Sequence, residues 1–342
     1  MITGPPSGGP LGDSVPDERL YDLDDLIEPE REVVDFETAL DRLASGGDTI
    51  EASLLSVLSD PRAREVDLFG AAWAKMPDDQ RVQLAGALFE AAEASFQVHF
   101  DPFFVLLLDD ELPTVRTIAI DGLWENDEPR LARRYTGLLQ RDTAPEVRAR
   151  AAAALGDFIY RGELDEVDEP LVEETLAVLV ESAADEGEDP LVRRRALESA
   201  GYADRPDIHD LIEGLYDDGN RQLRLGAIAA MGRSADEGWS RAVLDTLDES
   251  DPELQYEAAI AAGRLAIHDA VPLLMDFADE SERELRLAAV WSLGEIGGRR
   301  ARQALESLLD DAPDDDFAEA VEDALGMVSL SDGELPWGLL GE

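Results

Sequence analysis

Residues 252–263 read PELQYEAAIAAG, and the same twelve-residue pattern returns along the chain without a gap inside any copy. It recurs as PTVRTIAIDGLW from Pro113, PEVRARAAAALG from Pro145, PLVRRRALESAG from Pro190, RQLRLGAIAAMG from Arg221, RELRLAAVWSLG from Arg283 and DDFAEAVEDALG from Asp315. Subtracting successive starts (113, 145, 190, 221, 252, 283, 315) gives 32, 45, 31, 31, 31 and 32, a near-constant period broken once. Such a period marks stacked repeats, because one repeat alone cannot bury its apolar face.

Each copy opens on an apolar residue: Val115, Val147, Val192, Leu223, Leu254, Leu285 or Phe317. Counting that residue as zero, small residues follow at helical spacing, which predicts a helix packed close against its neighbours. Glycine usually stands at place nine, where a left-handed conformation would end the helix, and Trp124 takes that place in the first copy. Between copies lies a second apolar segment, seen in RAVLDTLDES from Arg241, AVPLLMDFADES from Ala270 and ARQALESLLDD from Ala301. Two short antiparallel helices per repeat follow.

At this level of detail GRLAIHDAVPLLMDFADESERELRLAAVWSLGEIG (263–297) resembles the short HEAT-like repeat first described in phycobilisome lyases, and the likeness covers residues 100–327. The resemblance implies an all-α fold, a right-handed solenoid of about seven to eight two-helix repeats. It says little about activity, since the family includes chromophore lyases, metal-dependent hydroxylases, DNA glycosylases and plain scaffolds. It also implies a structural ladder formed by an arginine after the opening residue, present here as Arg116, Arg148, Arg193, Arg224 and Arg286. Gln255 and Ala318 depart from it, the latter as a final capping repeat would.

The remaining segments organise around this array. Residues 1–20 carry Pro, Gly and Ser without periodicity and are expected to be disordered. Residues 21–99 read as degenerate N-terminal capping repeats, with VDLFGAAWAK from Val66 fitted as a rung, and 100–328 as the solenoid. The break in period places an insertion near 158–170, expected as a long loop. Residues 329–342 form a tail whose Leu335, Trp337, Leu339 and Leu340 are apolar enough to dock back into the groove as a displaceable internal ligand.

Composition bounds the setting. There are 29 basic and 78 acidic residues, a net charge of -49, and Lys75 is the single lysine. An acidic coat with Arg in place of Lys suits molar salt, where screening acts over about 3 Å, so a halophile's cytoplasmic protein is the expectation. With no cysteine there is no disulfide or thiol chemistry. No apolar run nears the length of about 18 residues that a membrane span needs, and no signal-peptide pattern opens the chain.

Chemistry-bearing motifs are sparse. His99, His209 and His268 lie in different repeats without ligand spacing, and no metal or other cofactor is expected. Arg130, Arg133, Arg134, Arg141, Arg148 and Arg150 are the main basic concentration, but the overall field repels phosphate, which makes nucleic acid a minor reading. The informative pattern is at places two and six, the positions expected on the inner curve. They are polar or small in the outer repeats and change to Leu225 and Ala229, Tyr256 and Ile260, then Leu287 and Trp291, with Arg233 and Arg264 at place ten. Large apolar residues on a face that ought to be wet point to a protein-binding groove, so a non-catalytic scaffold or adaptor with a protein partner is the expectation. The alternatives are a bilin-lyase-like or oxidoreductase-like enzyme holding a small molecule in that groove, or burial of the stripe by tight curvature.

Overall fold

The computed structural model describes residues 34–45, 50–95, 97–280 and 282–331; the sequence-based readings of segments 1–20 and 335–340 lie outside the described residues. Two compact units are present, one ending at Asn126 and one beginning at Asp127. Among the described residues both consist of helices and turns.

The first unit contains α1 (Phe36–Ala44), α2 (Ala52–Val57), α3 (Ala63–Trp73), α4 (Asp78–Ala94), α5 (Asp101–Leu107) and α6 (Pro113–Asp121). Helices α1, α3 and α5 pack in succession, as do α2, α4 and α6. Its core is aromatic: Phe69 stacks on Phe103 with ring centroids 4.1 Å apart. The buried rim is held by Asp110, which accepts from Trp73 Nε1 at 2.6 Å and from Arg81 Nη1 at 2.8 Å. VDLFGAAWAK lies in α3, in the layer opposite the Pro113 copy, and α4 takes the place that the sequence fit gave it. The reason is that Leu84, Ala85 and Leu88 of α4 supply the apolar and small residues of a rung within a more polar stretch, which hides the pattern.

The second unit contains α7 (Pro129–Arg141), α8 (Pro145–Glu163), α9 (Glu169–Ala184), α10 (Pro190–Ala200), α11 (Pro206–Tyr216), α12 (Arg221–Arg233), α13 (Ser240–Leu247), α14 (Pro252–Arg264), α15 (Val271–Ala278), α16 (Arg283–Ile296), α17 (Gly298–Asp310) and α18 (Asp315–Ser331). Helices α8, α10, α12, α14, α16 and α18 pack in sequence, each backed by the helix before it. Local sequence starts these helices cleanly. Pro sits in the first turn of α8, α10 and α14, where its missing N–H costs nothing. Asp189, Asn220 and Asp251 accept hydrogen bonds from first-turn backbone N–H groups of α10, α12 and α14. All six opening residues, Val147 through Phe317, are buried.

Two sequence expectations are corrected here. The place-nine glycines are not left-handed helix ends: α12 and α14 continue through Gly232 and Gly263, and Gly201, which does cap α10, is right-handed. A Cβ on Gly232 would lie 2.7 Å from Ala261 Cα, and one on Gly201 2.7 Å from Ala230 Cα. Glycine is therefore the contact point at which one helix backbone touches the next, and the left-handed cap falls three residues later, at Ala235 (φ 54°), Ala266 (φ 49°) and Gly297 (φ 61°). The insertion is the second correction. Its residues lengthen α8 to 19 and α9 to 16, leaving only a short link between Glu163 and Glu169. FIYRGE continues the helical pattern of α8, with Phe158 and Ile159 buried, so a loop never forms there.

The ladder is built from side chain to turn. Arg116 Nη1 donates to the Asp110 carbonyl at 2.6 Å and Arg148 Nη1 to the Asp142 carbonyl at 2.8 Å. Gln255, the departure from the pattern, makes the same bond, from Nε2 to the Glu249 carbonyl at 2.6 Å. Arg286 instead lies over the Phe317 ring at 5.2 Å. Each fastens the turn before a helix to the helix it precedes or to the next repeat.

Candidate interaction face

Helices α10, α12, α14 and α16 carry the stripe singled out in the sequence, and the close glycine contacts decide how much of it remains open. Leu225 (1% exposed) and Ile260 (7%) are buried, so the expectation that both lie on an open surface is corrected. Ala and Gly at the packed places bring successive backbones so close that neighbouring side chains cover places two and six. A Cβ on Gly226 would already meet Arg194 Cγ at 3.0 Å. Tyr256, Leu287 and Trp291 stay half-buried, as do Arg233 and Arg264.

Of these, Tyr256 borders a cavity of about 130 Å³, lined also by Leu225 and Leu285 together with Arg194, Glu257 and Glu284. A wider depression of about 650 Å³ on α1 and α3 is lined mainly by charged side chains.

Beside the cavity runs a charge network that spans three helices. Glu198, 2% exposed, accepts from Arg194 Nε and Arg195 Nη1, each at 2.7 Å. Arg194 continues to Glu257 Oε1 at 2.7 Å and Gln222 Oε1 at 3.0 Å. Burial alone would raise the Glu198 pKa, but Arg195, Arg233 and Arg194 together pull it below the usual carboxylate range. Glu257 goes the other way: burial and the Glu198 charge raise its pKa against the pull of Arg194. Tyr256 is raised by burial and by the Glu257 and Glu284 carboxylates. The sequence reading placed Arg194 and Glu198 on the stripe as polar residues and missed their link to Glu257. The available signal was opposite charge at places two and six of one copy, four residues apart on one helical face.

Other sequence candidates are dispersed. His209 lies 3.4 Å from an Asp204 oxygen and 3.7 Å from an Asp236 oxygen, against Trp239, while His268 is exposed at the start of a single 3-10 turn of helix, His268–Ala270. Among the described residues no group of three or more His, Asp or Glu side chains is arranged to hold a metal ion. Within the arginine concentration, Arg148 pairs with Glu188 at 2.7 Å and Arg130 with Glu128. Among the described residues no helix is long and apolar enough to cross a membrane.

Comparison with known proteins fits this geometry. Residues 240–326, which hold α13 to most of α18, match the sequence profile described as HEAT repeats. No curated protein matches the sequence. Among solved structures the chain is similar to the complex of CpcE and CpcF of phycocyanin lyase from Nostoc sp. PCC7120, at 18% identity over 67% of this chain and 94% of that one, with a TM-score of 0.46. Human deoxyhypusine hydroxylase in complex with glycerol is similar at 20% identity over 78% and 96% of the two chains (TM-score 0.35). A designed armadillo repeat protein is similar at 18% over 58% and 99% (TM-score 0.34). With its paired helices, its 31-residue period and the HEAT match, the protein is an all-α, HEAT-like repeat protein.

Proposed function

We propose that the protein is a non-catalytic interaction scaffold whose α10–α16 face holds a segment of a protein partner. The observation that carries this reading is that Tyr256, Leu287 and Trp291 of α14 and α16 stay half-buried, with Tyr256 bordering an open cavity, while Leu225 and Ile260 of the same stripe are covered. Large aromatic side chains left half-open, flanked by arginines, are the usual anchors of a binding surface. Leu225 and Ile260 support the floor beneath them, and Arg233 and Arg264 orient a polar group of the partner. The acidic, lysine-poor surface suits work in molar salt, and we place the protein in the cytoplasm of such a cell.

The test is affinity capture in molar KCl with wild type and with a Tyr256→Asp, Trp291→Asp double variant, the helicity of both checked by circular dichroism. A protein retained by wild type and lost from the folded variant supports the reading, and identical retention by both sinks it. The competing reading is an enzyme holding a small molecule in the same groove. It draws on Glu257, a carboxylate with a raised pKa that lines the cavity beside Tyr256. Purified protein carrying a bound chromophore or metal would favour it.

A further inference from the structure

The cavity beside Tyr256 touches place two of three successive helices, at Arg194 of α10, Leu225 of α12 and Tyr256 itself on α14. Leu225 and Leu285, the latter from α16, are buried core residues that give it an apolar wall. Its volume of about 130 Å³ is close to the ~150 Å³ of a void that takes one benzene-sized group. Small-molecule sites are larger, about 300–1,000 Å³. The space therefore fits one side chain of a protein partner better than a cofactor or a whole substrate.

The remaining lining sets the chemistry of that side chain. Glu253, Glu257, Glu282 and Glu284 border the cavity, against Arg194 as its one lining cation. Glu253, Glu282 and Glu284 stand at the starts of α14 and α16, where the helix dipole by itself favours negative charge. Each dipole offsets only about half a charge, however. Among the described residues neither Glu282 nor Glu284 has a cationic nitrogen within 4.0 Å. Glu257 has no such local reason. It lies one turn further along α14 with its side chain 20% exposed, and Arg194, the cation that reaches it, is shared with Glu198 and Gln222. Burial and the Glu198 charge raise the Glu257 pKa despite that contact, and burial with the Glu257 and Glu284 charges raises that of Tyr256. Negative charge is thus in excess around a small space with an apolar wall.

We infer that the cavity takes an arginine side chain of the protein partner, its aliphatic stem against Leu225 and Leu285 and its guanidinium between Glu257 and Glu284. Arginine carries both parts that the lining asks for, an apolar stem and a cationic head. Its planar fork matches a carboxylate with paired N–H···O bonds and stacks on aromatic rings, which the compact, strongly hydrated ammonium of lysine does less well. Selection acts at contact: in molar salt the field of the acidic coat is screened within about 3 Å, so discrimination falls to the carboxylates that touch the occupant. The inference rests on the scaffold reading and names the group by which that scaffold holds its partner.

The probe is arginine with both ends capped as amides, titrated into the full chain at constant molar KCl and followed by the Tyr256 ring resonances, assigned through Tyr256→Phe. Capped citrulline, its uncharged isostere, is the reference. A saturable shift is expected with arginine and none with citrulline. Glu257→Gln is expected to weaken binding about tenfold and the exposed Glu284→Gln about twofold. Glu306→Gln, exposed on α17 and outside the cavity lining, is expected to leave it unchanged. Equal responses to the two probes, or arginine binding that survives both cavity variants, overturn the proposal. Should Glu257→Gln not fold, the citrulline comparison and Glu284→Gln decide. Protein capture separates this inference from the reading beneath it. A client lost from the Tyr256→Asp, Trp291→Asp double variant but held equally by Glu257→Gln overturns the arginine pocket and leaves the scaffold. Selective arginine binding with no client captured supports the pocket and sinks the scaffold.

Discussion

Replacing Gly232 with Ala tests the claim that the array is held by backbone contact. On helix propensity alone the change should stabilise α12 by up to about 1 kcal/mol. The added Cβ, however, would lie 2.7 Å from Ala261 Cα and 2.9 Å from Ala261 Cβ. Ordinary carbon contacts are about 3.5–4.0 Å, so α12 and α14 must move apart by roughly 1 Å. Neither obstructing atom belongs to a flexible side chain that could swing away. Overpacking of this kind costs about 1–3 kcal/mol, and after the propensity gain a net loss of about 1–2 kcal/mol is expected. The matching control is Gly214→Ala in α11, where a Cβ meets nothing within 4 Å and the same chemical change should gain up to about 1 kcal/mol. Denaturant unfolding followed by far-ultraviolet circular dichroism gives both values, and the two variants should differ by about 2–3 kcal/mol. Gly201→Ala should behave like Gly232→Ala, whereas Gly294→Ala, with its nearest backbone contact at 3.1 Å, should be milder. If Gly232→Ala and Gly214→Ala shift the midpoint alike, the glycines are not contact points and the account of the stack fails.

Other outcomes follow from the same structure. Ala266→Gly should raise the unfolding free energy by about 0.5–1 kcal/mol, because Ala at φ 49° carries a left-handed penalty that Gly avoids; a melting point no higher than wild type would contradict this. Acidification should act in two directions. Glu257 and Glu295, raised by burial, relax on protonation, so stability should rise as the pH first drops toward their range. Asp251, held at about 2 by Arg221 against an ordinary 3.8, contributes stability above pH 3.8 that is lost as the pH falls through about 2. A melting-temperature profile across pH should therefore peak on the mildly acidic side, and Arg221→Gln should move the acid limb to higher pH. A profile already falling below neutrality would contradict it. With a net charge of -49, the melting temperature should climb as KCl increases from about 0.1 to about 2 M and then level off; a flat response would refute the molar-salt reading.

The period was legible because a stack repeats the same packing problem, so Leu223, Leu254 and Leu285 recur wherever a helix meets the common core. What glycine does at place nine was not legible. A cap and a backbone contact call for the same residue, and only the neighbouring helix tells them apart: Gly263 faces Ser292 Cα, while the left-handed turn falls to Ala266, a residue that gives no such signal. The insertion misled for a related reason. Extra residues between two copies have no partner rung to be compared with, so FIYRGE looks like a gap although it continues α8.

The stripe shows how these two levels meet in function. Places two and six change from polar to apolar along the array, yet their exposure is set by how closely backbones approach, a quantity carried by Gly and Ala at other places. Close approach buries Leu225 and Ile260 and leaves Tyr256, Leu287 and Trp291 half-buried. Helix spacing, and not side-chain type alone, thus decides which members of an apolar stripe belong to the core and which are free to meet something else, as Leu225 and Leu287 differ. The same logic makes the double variant at Tyr256 and Trp291 informative. A change confined to residues that project past the packing level should leave the stack folded, and loss of helicity there would mean that the level itself has been drawn in the wrong place.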